Sequence, residues 1–311
     1  MMKVQAPATR EQRSIVTFER TERLRKIGLL LAYLILTVWA VLSVMPIYFM
    51  FTLSFQELGR YLSVRDIRLI PTHYTLKNYI ELFQLNAPFW IARRPVWRWL
   101  LNSALVATVP TISNLIFDSA AGYALAKMRF PGRKLIFYTI VATMMIPGFV
   151  TFIPLYRMMF DFRWMDSYWA LLFPGFAGVG GIFMMKQSIQ TLPSSLLDAA
   201  RIDACSEFRI FWKIVLPLSK PILAIVGITS FMGGWNEFFW PYLVARRQEM
   251  LTLQAGLSSM MGAGATGLPP ATNNMGVVMA GSAIAAVPMI IVFFLFQKYI
   301  VQGITVGAMK G

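Results

Sequence analysis

Six long stretches of apolar residues dominate the chain, and a polar or basic segment separates each from the next. A bilayer core about 30 Å thick needs roughly 20 apolar residues in a helix. Each stretch has about that length, so the pattern predicts an all-α integral membrane protein with six transmembrane helices. They cover Ile27–Phe51, Leu100–Leu125, Leu135–Tyr156, Tyr168–Met185, Pro221–Val244 and Gly276–Tyr299. Pro147 and Pro154 predict breaks in the third, which neighbouring helices can tolerate.

Basic residues predict the orientation of these helices. Cytoplasmic loops of membrane proteins carry an excess of Lys and Arg. Six spans place both termini on one side, and a cytoplasmic placement puts 18 of the 29 basic residues inside. The short loop Lys127–Lys134, with four of them, is the strongest single indicator. Both termini are therefore predicted to be cytoplasmic.

The loops then fall on two sides of the predicted six-span domain, residues 27–299. Residues 1–26 form a cytoplasmic N-terminal segment and residues 300–311 a cytoplasmic tail. The other cytoplasmic loop of note covers residues 186–220. The external loops cover residues 56–98 and 246–274.

The first external loop is long enough to fold. Thr75 is a plausible N-cap for a helix whose apolar face has i, i+3, i+4, i+7 spacing. That face would consist of Leu76, Tyr79, Ile80 and Phe83. Three tryptophans of the loop suit an interfacial aromatic belt, namely Trp90, Trp97 and Trp99.

Composition agrees with a lipid environment. Hydrophobic residues make up 57% of the 311 positions, only 14% are charged, and the mean hydropathy is +0.59. Soluble domains usually carry about 25% charged residues. The net charge of +15 does not indicate nucleic acid, because the basic residues lie in short runs between apolar stretches.

The chain contains few of the residue types that catalytic and metal sites need. It has one cysteine, Cys205, and one histidine, His73, which excludes an internal disulfide and a Cys/His zinc site. The G-x-x-x-x-G-K-[ST] loop that cradles nucleotide phosphates does not occur. Gly262–Gly267 matches G-x-G-x-x-G, but dinucleotide binding needs a strand before it and a helix opening after it, whereas this segment is predicted to be a flexible external loop. We expect no catalytic residue, metal or cofactor here, so ATP and Mg²⁺ would bind to another chain.

The segment between the fourth and fifth spans predicts a short cytoplasmic helix. After Pro193, Ser195 is placed to cap it, with Asp198 three residues later as in a capping box. Leu196, Leu197 and Ala200 would share one face. By composition alone, a helix lying on the bilayer surface is as good an interpretation as a docking site for a partner.

The motif pattern adds a resemblance. Asp198-Ala-Ala200, then Ala204, then Ile214-Val-Leu-Pro217 resembles the EAA loop of ATP-binding-cassette (ABC) importer permeases. That loop has EAA, three residues, Gly, nine residues and I-x-L-P, and this chain keeps the spacing. Asp198 replaces the Glu and Ala204 replaces the Gly, a change that costs energy if the position needs φ > 0.

The resemblance covers nearly all of the chain after Ile27 and is closest to the carbohydrate-type permeases. It implies a second permease subunit, two ATPase subunits and an external solute-binding protein as partners. It implies contact with the ATPases through Asp198, Ala199, Ala200, Ala204, Leu216 and Pro217. It also implies that the loop 246–274 reaches the binding protein and that the tail reaches the ATPases.

Polar residues near or within the spans are candidates for the solute pathway. Asp118 lies inside the second span, where a carboxylate is a functional hypothesis by default, although a hydrogen-bonded side chain between helices is the favoured interpretation. Asn236 and Glu237 lie near the outer end of the fifth span. The sixth span has small residues at four-residue steps, which permit close packing within the subunit or against a second permease.

The resulting hypothesis is a permease subunit of an ABC importer in the bacterial inner membrane, carrying a sugar, oligosaccharide or polyol, with no enzymatic site of its own. A glycerol phosphate-type polyol is the alternative substrate. A secondary transporter or channel is the alternative function, although such proteins favour charged or broken helices in paired halves.

Overall fold

The computed structural model describes residues 10–57, 70, 73–83, 95–261 and 275–308. Within these ranges every regular element is helical. The α-helices are α1 Arg10–Ser54, α2 Lys77–Phe83, α3 Val96–Lys127, α4 Arg133–Thr143, α5 Gly148–Asp161, α6 Tyr168–Leu172, α7 Val179–Gln190, α8 Ser194–Ile202, α9 Glu207–Ile210, α10 Leu216–Leu218, α11 Lys220–Asn236, α12 Phe239–Val244, α13 Leu253–Met260 and α14 Met275–Ala308. Trp90, Gly262–Gly267 and residues 309–311 lie outside the described residues.

Four helical segments in the described part of the chain are long and apolar enough to cross a bilayer. They are Leu24–Ser54, Val96–Lys127, Tyr168–Gln190 and Met275–Tyr299. Two further pairs of helices qualify only if each bent pair is one span. The pair α4–α5 is bent by 99°, and the pair Glu207–Leu218 and α11 is bent by 82°.

The bend in the predicted third span occurs at only one of its two prolines. Pro147 precedes the first residue of α5 with an extended ψ of 133°, and the chain turns between Thr143 and Gly148. Proline suits the start of a helix because it has no N–H to donate. Pro154 lies inside α5, which continues through it, so the break predicted there was wrong.

The predicted fifth span also ends earlier than expected. Helix α11 stops at Asn236, and α12 begins at Phe239 instead of continuing the same helix. The carboxylate of Glu237 accepts a hydrogen bond from the backbone N–H of Trp240 at 3.0 Å. This bond stabilises the first turn of α12, which is therefore a helix separate from α11. Trp240 then anchors α12 to α6, because its indole N–H donates to the carbonyl of Ala170 at 2.8 Å.

Helix α3 is the central element of the fold. Its 32 residues span about 48 Å at 1.5 Å per residue. One hydrophobic cluster surrounds its first half and includes Trp99, Leu253 and Val277. A second cluster surrounds its last turns and includes Tyr123 and Leu197. The two ends of α3 therefore organise two separate layers of the molecule.

The N-terminal end of α3 forms hydrogen bonds with the segment that follows α12. The Trp99 indole N–H donates to the carbonyl of Gln248 at 2.7 Å. The Asn102 amide donates to two further carbonyls of that segment, at 2.9 and 2.8 Å. Trp99 is fully buried, so its predicted place in an interfacial belt was wrong, whereas Trp97 is exposed.

Helix α2 forms near the predicted position, but its buried face differs. The Lys77 N–H donates to the Thr75 hydroxyl at 3.1 Å, which agrees with Thr75 stabilising the helix start. The buried residues are Asn78 and Leu82, whereas Ile80 is exposed. Asn78 donates to the carbonyls of residues 54 and 56, so α2 packs against the end of α1.

The small residues of α14 serve packing within the chain. A side chain at Gly276 would collide with Asn78, and one at Gly281 would collide with Leu257 of α13. The carbonyl of Ala285 accepts a hydrogen bond from the Trp235 indole at 2.9 Å. Close packing within the subunit, one of the two uses that we expected, therefore occurs in the structure.

Candidate functional site

Helix α8 contains the first part of the EAA-like motif. Pro193 precedes it, and no side chain caps its first turn. Ser195 lies inside the helix, so the predicted capping box was wrong. The Asp198 carboxylate instead pairs with the Arg201 guanidinium three residues later, at 2.9 Å. Such i, i+3 pairs stabilise exposed helices only modestly.

The two faces of α8 have different surroundings. Leu197 and Ala200 are 1% and 7% exposed and pack into the cluster at the end of α3. Leu196 is exposed, so it does not share that face, and Ile202 is 86% exposed. Asp198 and Ala199 are exposed too. A residue of α8 that contacts a partner must therefore come from the exposed face, and Ala200 holds α8 against the chain's own core.

Ala204 ends α8 in a conformation that normally belongs to glycine. Its φ is 55°, in the left-handed region. Its N–H donates to the carbonyl of Arg201, and the Cys205 N–H donates to the carbonyl of Ala200, each at 3.0 Å. This pair of bonds is the Schellman pattern, which favours Gly at the left-handed position. The departure from the motif noticed in the sequence therefore has a cost in backbone strain.

A chain of polar contacts connects α8 to α3. The Arg201 guanidinium donates to the Glu207 carboxylate at 2.8 Å as well as to Asp198. The Tyr123 hydroxyl of α3 donates to the other oxygen of Glu207. Glu207 is the first residue of α9, and Ser206 caps that helix by accepting from the Arg209 N–H at 3.4 Å. We call Tyr123, Arg201 and Glu207 the α3–α8 bridge.

The last residue of α3 makes a second connection to the same region. The Lys127 ammonium donates to the carbonyl of Leu192 at 2.6 Å. It also reaches the carbonyl of Gln190 and the hydroxyl of Ser194, each at 3.3 Å. These acceptors follow the end of α7 and begin α8, so Lys127 fixes the turn between these two helices.

The second half of the motif lies where the chain changes direction. A π-helical turn, Phe211–Val215, leads into α10, which contains Leu216 and Pro217. Leu216 packs partly against the cluster that also holds α8, whereas Pro217 is exposed. Proline cannot donate to the helical ladder, and the helix axis bends by 82° before α11. The motif therefore marks the joint between the α8 region and the following apolar helix.

The pathway candidates lie on two different elements: Asp118 belongs to α3, whereas Asn236 and Glu237 are neighbours at the end of α11. Asp118 is fully buried, and one of its oxygens accepts from the Gly178 N–H at 3.0 Å. A side chain at Gly181 would collide with that carboxylate, so Asp118 joins α3 to the start of α7. Asn236 is exposed, and its amide approaches the Met289 sulfur at 3.9 Å. Glu237 is half-buried and holds the start of α12.

At the other end of the molecule, Asp166 fixes the start of the segment 246–253. Its carboxylate accepts from the backbone N–H groups of Arg246 and Arg247, each at 3.0 Å, and from the Arg247 guanidinium at 2.5 Å. Partial burial works to raise the pKa of Asp166, but these hydrogen bonds outweigh it and hold the pKa below its ordinary value. We call Asp166, Arg246 and Arg247 the Asp166 clamp.

Neither polar network was found from the sequence. The Asp198–Arg201 spacing on a predicted helix was a usable local signal for one ion pair. Tyr123 and Glu207 are 84 residues apart, and Asp166 and Arg247 are 81 apart, so no local pattern relates them. Their partners depend on how the helices pack.

A match to a family model shows which protein family the chain belongs to. Residues 119–306 match the model described as "Binding-protein-dependent transport system inner membrane component", which is more than half of the chain. The chain belongs to this family. The predicted resemblance to ABC importer permeases is therefore confirmed, and a secondary transporter or channel is excluded. The family comprises membrane permease subunits of ABC importers, and this chain is one of them.

Individual relatives agree with the family. The chain is 35% identical to the arabinooligosaccharide transport permease AraQ of Halalkalibacterium halodurans, over 88% of this chain and 93% of the relative. It is 34% identical to AraQ of Bacillus subtilis, over 92% and 96%. It is 32% identical to the sn-glycerol-3-phosphate transport permease UgpE of Yersinia pestis, over 88% and 94%.

A solved structure resembles the chain as well. It is a bacterial ABC transporter that imports the acidic polysaccharide alginate. One of its chains matches with a TM-score of 0.72 and 26% identity, over 95% of this permease and 99% of that chain. The helical fold described above is therefore shared with a subunit of an ABC importer.

Proposed function

We propose that this permease pairs with a second permease subunit to form the pathway for an oligosaccharide delivered by an external binding protein. Two ATPase subunits would bind ATP and Mg²⁺ and drive transport. The support is the family model over residues 119–306, together with the arabinooligosaccharide permeases among the relatives. The chain itself would hold neither a cofactor nor a catalytic residue.

We propose six spans with both termini cytoplasmic. The contacts at the two ends of α3 support this number. The α5–α6 turn and the segment 246–253 lie at its first end, through the Asp166 clamp and Asn102. The α7–α8 turn lies at its last end, through Lys127. Because these ends are about 48 Å apart, each bent pair runs from one layer to the other and serves as one span.

The orientation and the division into segments follow from that topology. The basic loop that begins at Lys127 lies at the last end of α3 and would face the cytoplasm. Residues 1–26, the loop 186–220 and the tail 300–311 would lie on that side, and the loops 56–98 and 246–274 on the outside. We propose the inner membrane of a bacterium as the location, with the outer loop 246–274 reaching the binding protein.

We propose that the exposed face of α8 is the ATPase-coupling surface. Its members are Asp198, Ala199, Ile202 and Ala204, all exposed in the isolated chain. An exposed isoleucine beside small side chains suits close docking of a protein surface. The joint at Leu216 and Pro217 would pass movement of this surface to α11. Ala200 contributes indirectly, by holding α8 on the permease core.

The coupling surface is tested with a matched pair of variants in the assembled transporter. Ile202→Glu places a charge on the exposed face, so we expect normal amounts of permease with at least a tenfold loss of bound ATPase. Ala200→Trp overfills the core and should lower the thermal stability of the permease itself, typically by about 1–3 kcal/mol. Copurification of the ATPase and melting of the permease separate the two effects. Unchanged ATPase binding by Ile202→Glu would refute the proposed surface.

We propose that Asn236 and Glu237 contact solute hydroxyl groups, since both lie at the outer end of α11 and Asn236 is exposed. Asp118, in contrast, would serve packing between helices.

The solute class is tested by uptake. Glycerol phosphate is the alternative solute, because UgpE relatives are 32% identical. A carboxylate in the pathway disfavours a phosphate. Membrane vesicles with the partner subunits should take up labelled arabinooligosaccharide and not glycerol phosphate, and the reverse result would favour the alternative.

A further inference from the structure

A basic pocket lies where the end of α3, the start of α4 and the end of α7 meet. Its volume is about 210 Å³. Three cationic side chains line it together with aromatic, aliphatic and amide groups. The lining residues are Arg133, Lys134, Lys186, Phe137, Tyr138, Leu125, Ala126 and Gln190. The transport role described above makes no use of this pocket.

The pocket has positive charge without a matching carboxylate. The sequence contains no Asp or Glu at positions 119–160 or 167–197. Within the described part of the chain, neither Lys134 nor Lys186 forms an ion pair. The Lys186 ammonium lies 4.2 Å from the centroid of the Phe137 ring. Arg133 donates one of its N–H groups to the carbonyl of Met128 at 2.8 Å and retains others.

The start of α4 adds to the positive potential. Helix α4 has eleven residues and begins at Arg133, and no side chain caps its first N–H groups. Gly132 precedes it with φ of 79°, a left-handed turn that brings the chain from α3 into α4. Uncapped N–H groups and the positive end of the helix dipole favour an anion beside the three cations.

The surroundings of the pocket are apolar. Leu135 and Ile136 are exposed on α4, next to Tyr138 at the rim of the pocket, which is exposed as well. In an inner-membrane component, exposed aliphatic side chains beside a basic pocket are suited to contact acyl chains. The fitting ligand therefore has an anionic head and hydrocarbon tails. We propose that the pocket binds the headgroup phosphate of an anionic phospholipid, with its tails along α4.

The test measures lipid binding by the full-length chain purified in detergent. Phosphatidylglycerol and phosphatidylcholine are offered at equal concentration, and native mass spectrometry counts the molecules that stay bound. We expect the parent chain to prefer phosphatidylglycerol. Lys134→Gln and Lys186→Gln should each weaken that binding by about fivefold, since one basic residue near an anionic lipid contributes about that factor. Lys186→Arg keeps the charge and should retain binding.

The matched control is Arg129→Gln. Arg129 belongs to the same basic loop but does not line the pocket, so its removal should leave the lipid preference unchanged. Melting temperatures in phosphatidylcholine show whether each variant is folded, and Lys134→Gln spares the ring contact of Lys186. Equal retention of both lipids, or full binding by Lys134→Gln and Lys186→Gln, would overturn the proposal. Displacement of the lipid by inorganic phosphate alone would assign the pocket to a soluble anion and also overturn it.

Discussion

Ala204 shows how one residue's backbone controls the end of α8. The sequence identified it as a departure from the motif, and the structure gives it φ of 55°. An L-residue in the left-handed region costs roughly 1–2 kcal/mol, and the Schellman hydrogen bonds at Cys205 and Ala204 keep it there. The strain is therefore retained by the fold around α8.

Ala204→Gly should relieve this strain. We expect an increase in the free energy of unfolding of up to about 1 kcal/mol, seen as a higher melting temperature of the purified permease. Ala199→Gly is the matched control, because Ala199 is exposed within the same helix. It should destabilise by about 0.5–1 kcal/mol. If both glycine variants shift the melting temperature in the same direction, the left-handed strain at Ala204 is not a determinant of stability.

Single residues also mark the limit of local inference from the sequence. The motif spacing placed Asp198 and Ala199 correctly on a helix, because periodicity is a local property. It could not assign the capping role, since Ser195 lies one residue inside the helix start. It could not assign Ala200 to the core or Leu196 to the surface either. Those assignments depend on α3 packing against α8.

At the scale of elements, the α3–α8 bridge is one of two polar connections between α8 and the central helix α3, and Lys127 with Ser194 is the other. Glu207 accepts hydrogen bonds from both Tyr123 and Arg201. Charged hydrogen bonds of this kind are stronger than neutral ones. If α8 docks an ATPase, displacement of α8 must move α3 through this bridge, through Lys127, or through the apolar contacts of Leu197 and Ala200.

Tyr123→Phe removes the α3 end of the bridge while keeping the ring. We expect the transporter to assemble normally and solute-stimulated ATPase activity to fall by about two- to fivefold, since one lost hydrogen bond costs about 1 kcal/mol. Tyr33→Phe on the exposed face of α1 is the control and should have no effect. Full stimulation in Tyr123→Phe, at equal amounts of bound ATPase, would show that the mechanical connection does not pass through the α3–α8 bridge.

The Asp166 clamp is a second element-scale connection and gives a pH dependence. The pKa of Asp166 in the folded chain is held below its ordinary value of 3.8. Its contribution to stability is thus fully present above pH 3.8 and is lost as the pH falls through the lowered value. Asp166→Asn should lower the melting temperature at neutral pH and reduce its decline as the pH falls below 3.8.

The control for the clamp is Asp161→Asn. Asp161 forms an exposed i, i+4 pair with Arg157 at 3.0 Å, and such pairs contribute only about 0.3–0.5 kcal/mol. It should therefore leave both the melting temperature and its acid dependence nearly unchanged. A parent-like acid profile in Asp166→Asn would show that other carboxylates cause the acid sensitivity.

For the whole molecule, the sequence predicted the apolar helices, the family and the break at Pro147, but not the helix end at Asn236. Hydropathy is summed over about 20 residues, so it locates long spans such as Leu24–Ser54 and Met275–Tyr299 well. It does not register a bend of 99° at Pro147 or a helix end at Asn236. Those breaks are set by single residues and by the helices that pack against them.

The breaks decide the topology, so the last prediction concerns the number of spans. Cys205→Ser removes the sole cysteine, and single cysteines are then placed at Arg129, Asp161, Ser195 and Glu249, all exposed. With six spans, a membrane-impermeant maleimide should label the cysteines at positions 161 and 249 from outside intact cells. The cysteines at positions 129 and 195 should react only after the membrane is opened. This alternation is expected because, in the six-span topology, α4–α5 and the pair ending in α11 would each cross the full bilayer. If Arg129 and Asp161 share a side, α4–α5 is re-entrant; if Ser195 and Glu249 share a side, the second pair is. Either outcome would contradict the six-span topology, and Cys205→Ser alone, which has no cysteine, controls for non-specific labelling.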